Sequence, residues 1–248
     1  MEKPCQHLLE FPPFLLYNNS IPFLKILNEG VTMLVKERMS HPVITIHPET
    51  TMQEALGIMR REHVRRLPVI DKLGKLVGIV TDADLDKASP SEATTLSVWE
   101  IRDLISKVKV ERIMAREVIT IDDETPIEEA ARIMADGQIS GLPVLHDGKL
   151  VGLITETDLF KLFLELFGAR EHGVRLTVEV PRGPGMIAKL TRSIYEMGGD
   201  IVSLGTYMGE NSQTGRIVVK VEGIECEDLV EAVTPLVSSV IDVRENNA

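Results

Sequence analysis

The sequence predicts a fold of mixed α/β and α+β class, with two βαββα repeats packed on each other and a ferredoxin-like βαββαβ domain after them. Two observations predict it: a duplication with a spacing of about 75 residues, and a βαββαβ order of apolar patterns near the C-terminus. The predicted ranges are an N-terminal extension at 1–32, repeats at 33–88 and 110–165, a linker at 89–109 and the last domain at 172–246.

The duplication is visible in three short motifs. VITI at 43–46 recurs at 118–121, LPV at 67–69 recurs at 142–144, and GKLVG at 74–78 recurs at 148–152. Because the matches keep nearly one register, the chain contains two copies of one structural unit. A unit of about 55 residues does not readily bury its apolar face alone, so we expect the copies to pack together.

Each copy has the same predicted elements: a short β-branched strand, an amphipathic helix, two strands joined by a glycine turn, and a second helix. The predicted strands are 43–46, 67–71 and 76–81 in the first copy, and 118–121, 142–146 and 150–155 in the second; the second helices open at 82 and 156. Methionines in the apolar stripes of the first helices are expected to be core residues, since Met fills irregular gaps.

Two capping-box patterns mark where the first helix of each copy begins. Thr51 and Glu54 have the required spacing in the first copy. Thr125 and Glu128 have it in the second, with Pro126 expected at the first helical position.

The C-terminal region alternates strand and helix patterns in a split βαβ order. We expect strands at 174–180, 200–208, 216–221 and 240–244 and helices at 186–197 and 227–237. Gly198 and Gly199 end the first of these helices, where a left-handed residue is needed.

The bulk composition argues against several classes of protein. A net charge of -11 disfavours nucleic-acid binding, because phosphate contacts need clustered Lys and Arg. Cys5 and Cys226 are expected to be free thiols, and neither the cysteines nor the six histidines have metal-ligand spacing. No apolar run has the length of a membrane helix. We therefore expect no metal, no membrane contact and a cytoplasmic location.

Residues 1–32 differ from the rest of the chain. They hold four of the ten aromatic residues and show neither helical nor strand periodicity. Either translation of the native protein starts at Met33, or the stretch is a poorly ordered extension that packs on the domain. N-terminal sequencing of the native protein distinguishes the two.

The end of each repeat carries the chemistry that points to a ligand. Thr81 and Asp84 in the first copy, and Thr155 and Asp158 in the second, stand where a strand runs into a helix. A helix N-terminus suits a phosphate, to which Thr can donate, and a carboxylate can accept from both hydroxyls of a ribose. The alternative is that Thr and Asp only cap the helix. Because the pair recurs in both copies, we favour the interpretation that it binds a ribose phosphate.

Arginines distinguish the two copies. The first has Arg60, Arg61, Arg65 and Arg66 where the second has Arg132, Ala135, Ser140 and Gly141. The arginines either neutralise a di- or triphosphate, with Arg65 or Arg66 as the contact, or form a solvated helix end that matches the helix dipole.

Both repeats resemble cystathionine-β-synthase (CBS) domains, which pair into a Bateman module, over residues 33–163. The resemblance implies a regulatory adenine nucleotide (AMP, ADP, ATP or S-adenosylmethionine) in a cleft between the domains, and no catalytic cofactor. It implies that Thr81, Asp84, Thr155 and Asp158 hold ribose and phosphate and that Val43, Thr45, Val118 and Thr120 line the adenine slot. The backbone around Arg66, Leu67, Pro68, Gly141, Leu142 and Pro143 would contact the base edge.

The sequence VPRGPGMIAKL at 180–190, followed by Gly198-Gly199, resembles the ACT domain of amino-acid-responsive regulators. In that family the Pro-Gly loop helps to bind an amino acid at a dimer interface. The resemblance makes Arg182, Gly183, Pro184, Gly185 and Met186 a candidate effector loop. Arg182 stands where the family often has an Asp that grips the amino group, so a purely dimerising domain is the alternative.

The domain order over 33–246 is similar to that of acetoin utilisation proteins of the AcuB type. The units fill nearly the whole chain, leave no room for a catalytic barrel and contain no catalytic constellation. We therefore expect a non-catalytic sensor and homodimer that signals to the ACT domain or to an unidentified protein partner. The alternatives are a ligand-free dimerisation scaffold, an amino-acid-responsive regulator acting through the ACT domain, or an enzyme such as an IMP dehydrogenase.

Overall fold

The structure, a computed structural model, describes residues 33–88, 106–209 and 213–246. The extension at 1–32, with the question of a start at Met33, and most of the linker at 89–109 lie outside the described residues. None of the helices described is long and apolar enough to cross a membrane.

The described elements follow the duplication. The first repeat contains α1 Val35–Arg38, α2 Met52–Glu62, β1 Arg66–Ile70, β2 Leu76–Thr81 and α3 Asp82–Ala88. A 3-10 turn, Val110–Arg112, precedes the second repeat, which contains β3 Ile121–Asp122, α4 Ile127–Gly137, β4 Gly141–His146, β5 Lys149–Thr155 and α5 Glu156–Leu166. The C-terminal domain contains β6 Gly173–Pro181, α6 Met186–Glu196, β7 Asp200–Met208, β8 Thr214–Glu222, α7 Cys226–Val233 and β9 Ser239–Asn246, with a 3-10 turn, Thr234–Leu236, after α7.

The sheets confirm the predicted fold class. β1 and β2 form an antiparallel hairpin, and so do β4 and β5, with β3 parallel to β4. The C-terminal sheet has the order β7-β8-β6-β9 with antiparallel neighbours. This is the ferredoxin-like order, with both helices packed on one face through residues such as Leu190, Ile194 and Leu229.

The leading strand of each repeat is shorter than predicted. Of residues 43–46 only Ile46 pairs, through a parallel bridge to Val69. Of residues 118–121 only Ile121 belongs to a strand. These two isoleucines are also the buried members of their segments, at 4% and 6% exposed. The β-branched composition therefore predicted an extended chain, but sheet pairing begins only where the side chain enters the core.

The capping-box prediction is confirmed in the first repeat and wrong in the second. The N–H of Glu54 donates to Thr51 Oγ1 at 3.3 Å, and the N–H of Thr51 donates to Glu54 Oε2 at 2.8 Å. In the second repeat α4 begins at Ile127 and Pro126 is its N-cap, with no side-chain hydrogen bond. In the 75-residue register Pro126 corresponds to Thr51, so the Thr125–Glu128 pattern lies one residue too early.

The segment that leads into each repeat packs on the other repeat. Val35 belongs to the core of the second repeat, and Val110 and Met114 belong to the core of the first. The backbone hydrogen bonds are equivalent in the repeat register: Val35 N to Thr125 O matches Val110 N to Thr50 O, and the Ser40–Leu153 bridge matches the Ala115–Ile79 bridge. The two repeats thus form one structural unit with exchanged leading segments.

This exchange explains the second glycine of each GKLVG motif. A Cβ on Gly78 would lie 2.6 Å from Sδ of Met114, which comes from the opposite leading segment. A Cβ on Gly152 would collide with Sδ of Met39 in the same way. Both glycines therefore make room for a methionine of the other repeat, and the four residues recur together because the contact is reciprocal.

Candidate functional site

A cleft of about 230 Å³ lies where the two repeats meet. One wall comes from the leading segment and the end of α2 in the first repeat, and the other from the β5–α5 junction of the second. The lining residues are Ser40, Pro42, Val43, Ile44, His63, Val64, Arg65, Arg66, Leu153, Thr155, Thr157 and Asp158. The cleft is thus composite, and the sequence predictions that treated the copies one at a time did not anticipate how they combine.

Thr155 and Asp158 form a cap at the start of α5. Oδ2 of Asp158 accepts from the N–H of Thr155 at 3.0 Å and from its hydroxyl at 2.7 Å. Lys161 Nζ lies 3.9 Å from Oδ1, and among the described residues no hydrogen bond reaches that oxygen. The cap therefore fixes the carboxylate through one oxygen and leaves the other as an acceptor in the cleft.

The first repeat contains the same arrangement at α3. Thr81 donates to Asp84 Oδ2 through its N–H at 2.9 Å and its hydroxyl at 2.7 Å. In both copies the threonine hydroxyl is thus directed at the aspartate, and the predicted donation to a phosphate requires it to rotate away. For the aspartate alone, the structural and ligand-binding interpretations do not exclude each other, because they use different oxygens of the carboxylate.

The two predicted phosphate contacts, Arg65 and Arg66, lie in different environments. Arg66 is 8% exposed, and its Nη2 donates to Ser140 Oγ at 2.8 Å. A Cβ on Gly141 would collide with Nη1 of Arg66, so the guanidinium lies against that glycine. Burial lowers the pKa of Arg66, and the neighbouring Arg65 lowers it further. Arg65 is exposed at the rim of the cleft and is the better placed of the two for a phosphate.

Of the four residues predicted to line the adenine slot, only Val43 lies in this cleft. Val43 lines the cleft, and its neighbour Ile44 does so in place of Thr45. The alternation expected of a strand does not hold here because residues 43–45 are not paired in a sheet. Val118 and Thr120 are half-buried in the corresponding segment of the second repeat, outside this cleft.

The residues predicted to contact the base edge lie in strands. Pro68, Leu142 and Pro143 are buried in β1 and β4, where Pro68 faces Ile79 across the hairpin. Gly141 is the first residue of β4, and the guanidinium of Arg66 packs against it. The backbone segment that lines the cleft next to these strands is 63–66. It includes His63, which has a left-handed conformation with φ of 54°.

The structure also places in the cleft residues that were not predicted: Ser40, Pro42, Ile44, His63, Val64, Leu153 and Thr157. Ser40 and Leu153 are bridged to each other by the exchange of leading segments, with N···O distances of 2.9 and 3.2 Å. The only sequence signal for them was the duplication itself, which does not state which copy contributes each wall.

A larger cavity, about 860 Å³, lies in the C-terminal domain. The whole candidate effector loop, Arg182 to Met186, lines it together with Tyr207, Thr214 and Arg216 from the β7–β8 hairpin. The N–H of Arg182 donates to Gln213 O at 2.8 Å, and Gly185, with φ of 87°, precedes the first residue of α6. The loop is therefore held on one side by the hairpin and on the other by the helix. Among the described residues no group of His, Cys, Asp or Glu could hold a metal ion.

Comparison with known families identifies each unit. The CBS domain model matches residues 35–91 and 110–165, and the TTHA0829-like ACT domain model matches 172–244. A CBS domain-containing protein of Dictyostelium discoideum is 37% identical over 135 residues, which make up 54% of this chain and 93% of that protein. The chain belongs to the CBS-domain family. Its repeats are two CBS domains, and an ACT domain follows them.

Other similar proteins match about half of this chain. The L-aspartate semialdehyde sulfurtransferase of Methanocaldococcus jannaschii is 36% identical over 131 residues. The matched region makes up 52% of this chain but only 23% of the enzyme's length. Among solved structures, an acetoin utilisation protein (AcuB) of Vibrio cholerae is 26% identical, with a TM-score of 0.48 over 57% of this chain and 97% of that one. A CBSX2 structure in complex with AMP is 31% identical, with a TM-score of 0.44 over 53% and 96%.

Proposed function

We propose that the CBS pair is a regulatory sensor, without catalytic activity of its own, that binds an adenine ribonucleotide in the cleft between its repeats. AMP, ADP, ATP and S-adenosylmethionine are the candidate ligands. The observation that carries this proposal is the fixed carboxylate of Asp158, whose Oδ1 accepts no hydrogen bond among the described residues, in a cleft that Val43 and Ile44 also line.

The lining of the cleft suits the three parts of a nucleotide. Val43 and Ile44 offer an apolar surface to the base, and Oδ1 of Asp158 accepts from the ribose hydroxyls. The N-terminus of α5 and the exposed Arg65 offer positive potential to the phosphate. At about 230 Å³ the cleft is smaller than the 300–1,000 Å³ common for drug-sized ligands, so we expect a phosphate tail to extend into solvent.

The equivalent site beside Asp84 is the weaker candidate. There the base is expected to contact the backbone at Gly141, and the Arg66 side chain lies against that glycine. We therefore place the ligand at Asp158.

The wider biological role extends the same proposal. The CBS pair acts in the cytoplasm as part of a homodimer and signals to the ACT domain or to a protein partner. The candidate effector loop at Arg182 to Met186 is a second regulatory element, and the domain order favours a role in acetoin utilisation. The exposed apolar face of α5, which includes Phe160 and Phe163, supports self-association.

Calorimetry on matched variants tests the ligand proposal. Asp158→Asn and Asp84→Asn remove the same charge from equivalent caps, so they cost similar helix stability. We expect AMP affinity to fall about ten- to hundredfold in Asp158→Asn, the range of a lost hydrogen bond to a charged group, and to change little in Asp84→Asn. The 2′- and 3′-deoxy analogues should bind wild-type protein more weakly than AMP.

Two outcomes would contradict the proposal. Equal binding of ribo- and deoxynucleotides would remove the role of Asp158 as a ribose contact. A complete lack of heat with AMP, ADP, ATP and S-adenosylmethionine would leave the ligand-free dimerisation scaffold as the better description.

A further inference from the structure

Helix α5 connects the proposed nucleotide cleft with the ACT domain. Its first turn carries Thr155 and Asp158 in the cleft. Its eleven residues extend about 16 Å at 1.5 Å per residue, so its last turn lies well away from the cleft. The helix ends in a Schellman motif: the N–H of Ala169 donates to Leu164 O at 2.8 Å, the N–H of Gly168 donates to Glu165 O at 3.0 Å, and Gly168 has φ of 54°.

The turn after α5 packs on the face of the ACT sheet that α6 and α7 do not cover. Phe167 lies against β7 at Gly205, where a Cβ would be 2.7 Å from the ring. Gly168 approaches Val202 of the same strand, where a Cβ would be 2.8 Å from Cγ1. Both glycines therefore permit a close contact between the end of α5 and β7 that a larger residue would prevent.

Lys220 of β8 is buried beneath this turn. It is 3% exposed, and its side chain extends from the sheet on the face opposite Val219 and Val221, which belong to the core under the helices. Its Nζ donates to Gly168 O at 2.8 Å and to Glu171 O. A lysine is rarely buried to this degree unless its donors are paired, and a cation is favoured at the C-terminal end of a helix.

Between its two ends α5 packs on the core of the second repeat through Leu159 and Leu162, and Glu165 forms an ion pair with Arg38 at 2.8 Å. Of its residues only Leu162 is buried, whereas Phe160 is 67% and Phe163 55% exposed. A helix anchored in this way can shift as a rigid body by 1–2 Å, as helices do in many regulatory proteins. Such a shift is limited by this packing along the helix, by the cap at Asp158 and by the turn above Lys220.

We propose that Lys220 is a positioning residue that couples α5 to the ACT sheet, so that a displacement of the α5 N-terminus in the nucleotide cleft reaches β7 and β8. The source of the displacement rests on the proposed function, whereas the coupling itself does not. Without the ammonium group, the carbonyls of Gly168 and Glu171 lose their shared donor and the end of α5 separates from the sheet.

A ligand-free measurement tests the coupling itself. Lys220→Met keeps the length of the side chain and removes the charge, and Lys189→Met, at an exposed position of α6, is the matched control. We expect hydrogen exchange of the amides in the last turn of α5 and at 167–171 to rise about tenfold or more in Lys220→Met and to stay unchanged in Lys189→Met. If Lys220→Met also exposes the β6 core, Phe167→Ala, which leaves the buried cation in place, gives a second test of whether the turn at 167–171 couples α5 to β7. Unchanged exchange in α5 would overturn the proposal.

Addition of AMP then tests transmission. In wild type and Lys189→Met, AMP should alter the exchange of β7 and β8. In Lys220→Met, AMP should bind with affinity unchanged within twofold while this response disappears. A response that persists in Lys220→Met would overturn the proposal. If wild-type protein does not bind AMP, the proposed function fails and the ligand-free comparison alone decides on the coupling.

Discussion

The carboxylate of Asp158 divides its two oxygens between a helix cap and a cleft. Oδ2 accepts both donors of Thr155, and this removes the rotational freedom that an exposed aspartate would lose on binding a ligand. The cap thereby prepares Oδ1 for a hydroxyl group. The sequence predicted the Thr–Asp pair in both repeats, but the division of the oxygens depends on side-chain geometry that spacing alone does not contain.

Arg66 shows how the two CBS domains have become different. Its guanidinium lies on Gly141 and is bonded to Ser140, the residues that stand in the second repeat where the first has Arg66 and Arg65. Glycine is needed at 141 because a Cβ there would collide with Nη1 of Arg66. From sequence, the arginines indicated a phosphate site or a solvated helix end, and neither interpretation anticipated a buried contact between repeats.

A pH titration tests the local electrostatics at His146. Its Nδ1 lies 2.9 Å from Oδ1 of Asp123, which is 8% exposed. The hydrogen bond to Asp123, and then its charge, raise the pKa of His146 above 6.5. Because the folded state binds this proton more tightly, the pair stabilises the fold fully below about pH 6.5, and the contribution is lost as pH rises through the raised pKa.

NMR titration of His146 measures this directly. Asp123→Asn should return its pKa toward 6.5, and Asp147→Asn should lower it less, since that carboxylate lies 3.7 Å from Nε2. A wild-type pKa at or below 6.5, or equal effects of the two variants, would contradict the assignment.

At the scale of elements, local patterns predicted most of the helices and strands to within one or two residues. The period-2 and period-3.6 patterns describe whether a segment lies on a core, and they served well for α2, β1 and β2. These patterns do not indicate whether a segment packs on the core of its own repeat or on that of the other repeat. The exchange of the leading segments is a long-range choice, so the cleft between residues 40–44 and 153–158 followed from the structure and not from the patterns.

The apolar face of α5 predicts a homodimer interface. Phe160, Phe163 and Leu164 follow an i, i+3, i+4 spacing and are 37% to 67% exposed. A two-fold antiparallel crossing near Phe163 would bury these side chains against their counterparts in the second copy. We expect Phe163→Glu to convert a dimer into a monomer in sedimentation velocity.

Tyr195→Glu is the control for this prediction, because Tyr195 is 78% exposed on α6 and lies outside the proposed interface. It should leave the dimer unchanged. Wild-type protein that sediments as a monomer at micromolar concentration, or a Phe163→Glu variant that sediments like wild type, would rule out this interface.

For the whole molecule, the proposed connection between ligand and response depends on α5. One end of this helix carries the carboxylate of the cleft, and the other lies over Lys220 in the ACT sheet. Regulation through this helix requires only that the nucleotide binds more tightly when the helix is in one position than when it is in another. Domain order and fold class were accessible from the sequence because each unit has its own periodic pattern. The buried Lys220 was not, since a lysine in a strand ordinarily predicts a solvent-facing position.

A crystal structure of the protein grown with AMP tests the central claim most directly. The account predicts adenine against Val43 and Ile44, a ribose hydroxyl within hydrogen-bond distance of Asp158 Oδ1, and the phosphate beside Arg65 and the first turn of α5. AMP bound only beside Asp84, or an empty cleft at saturating AMP with Asp158 in its present cap, would contradict it.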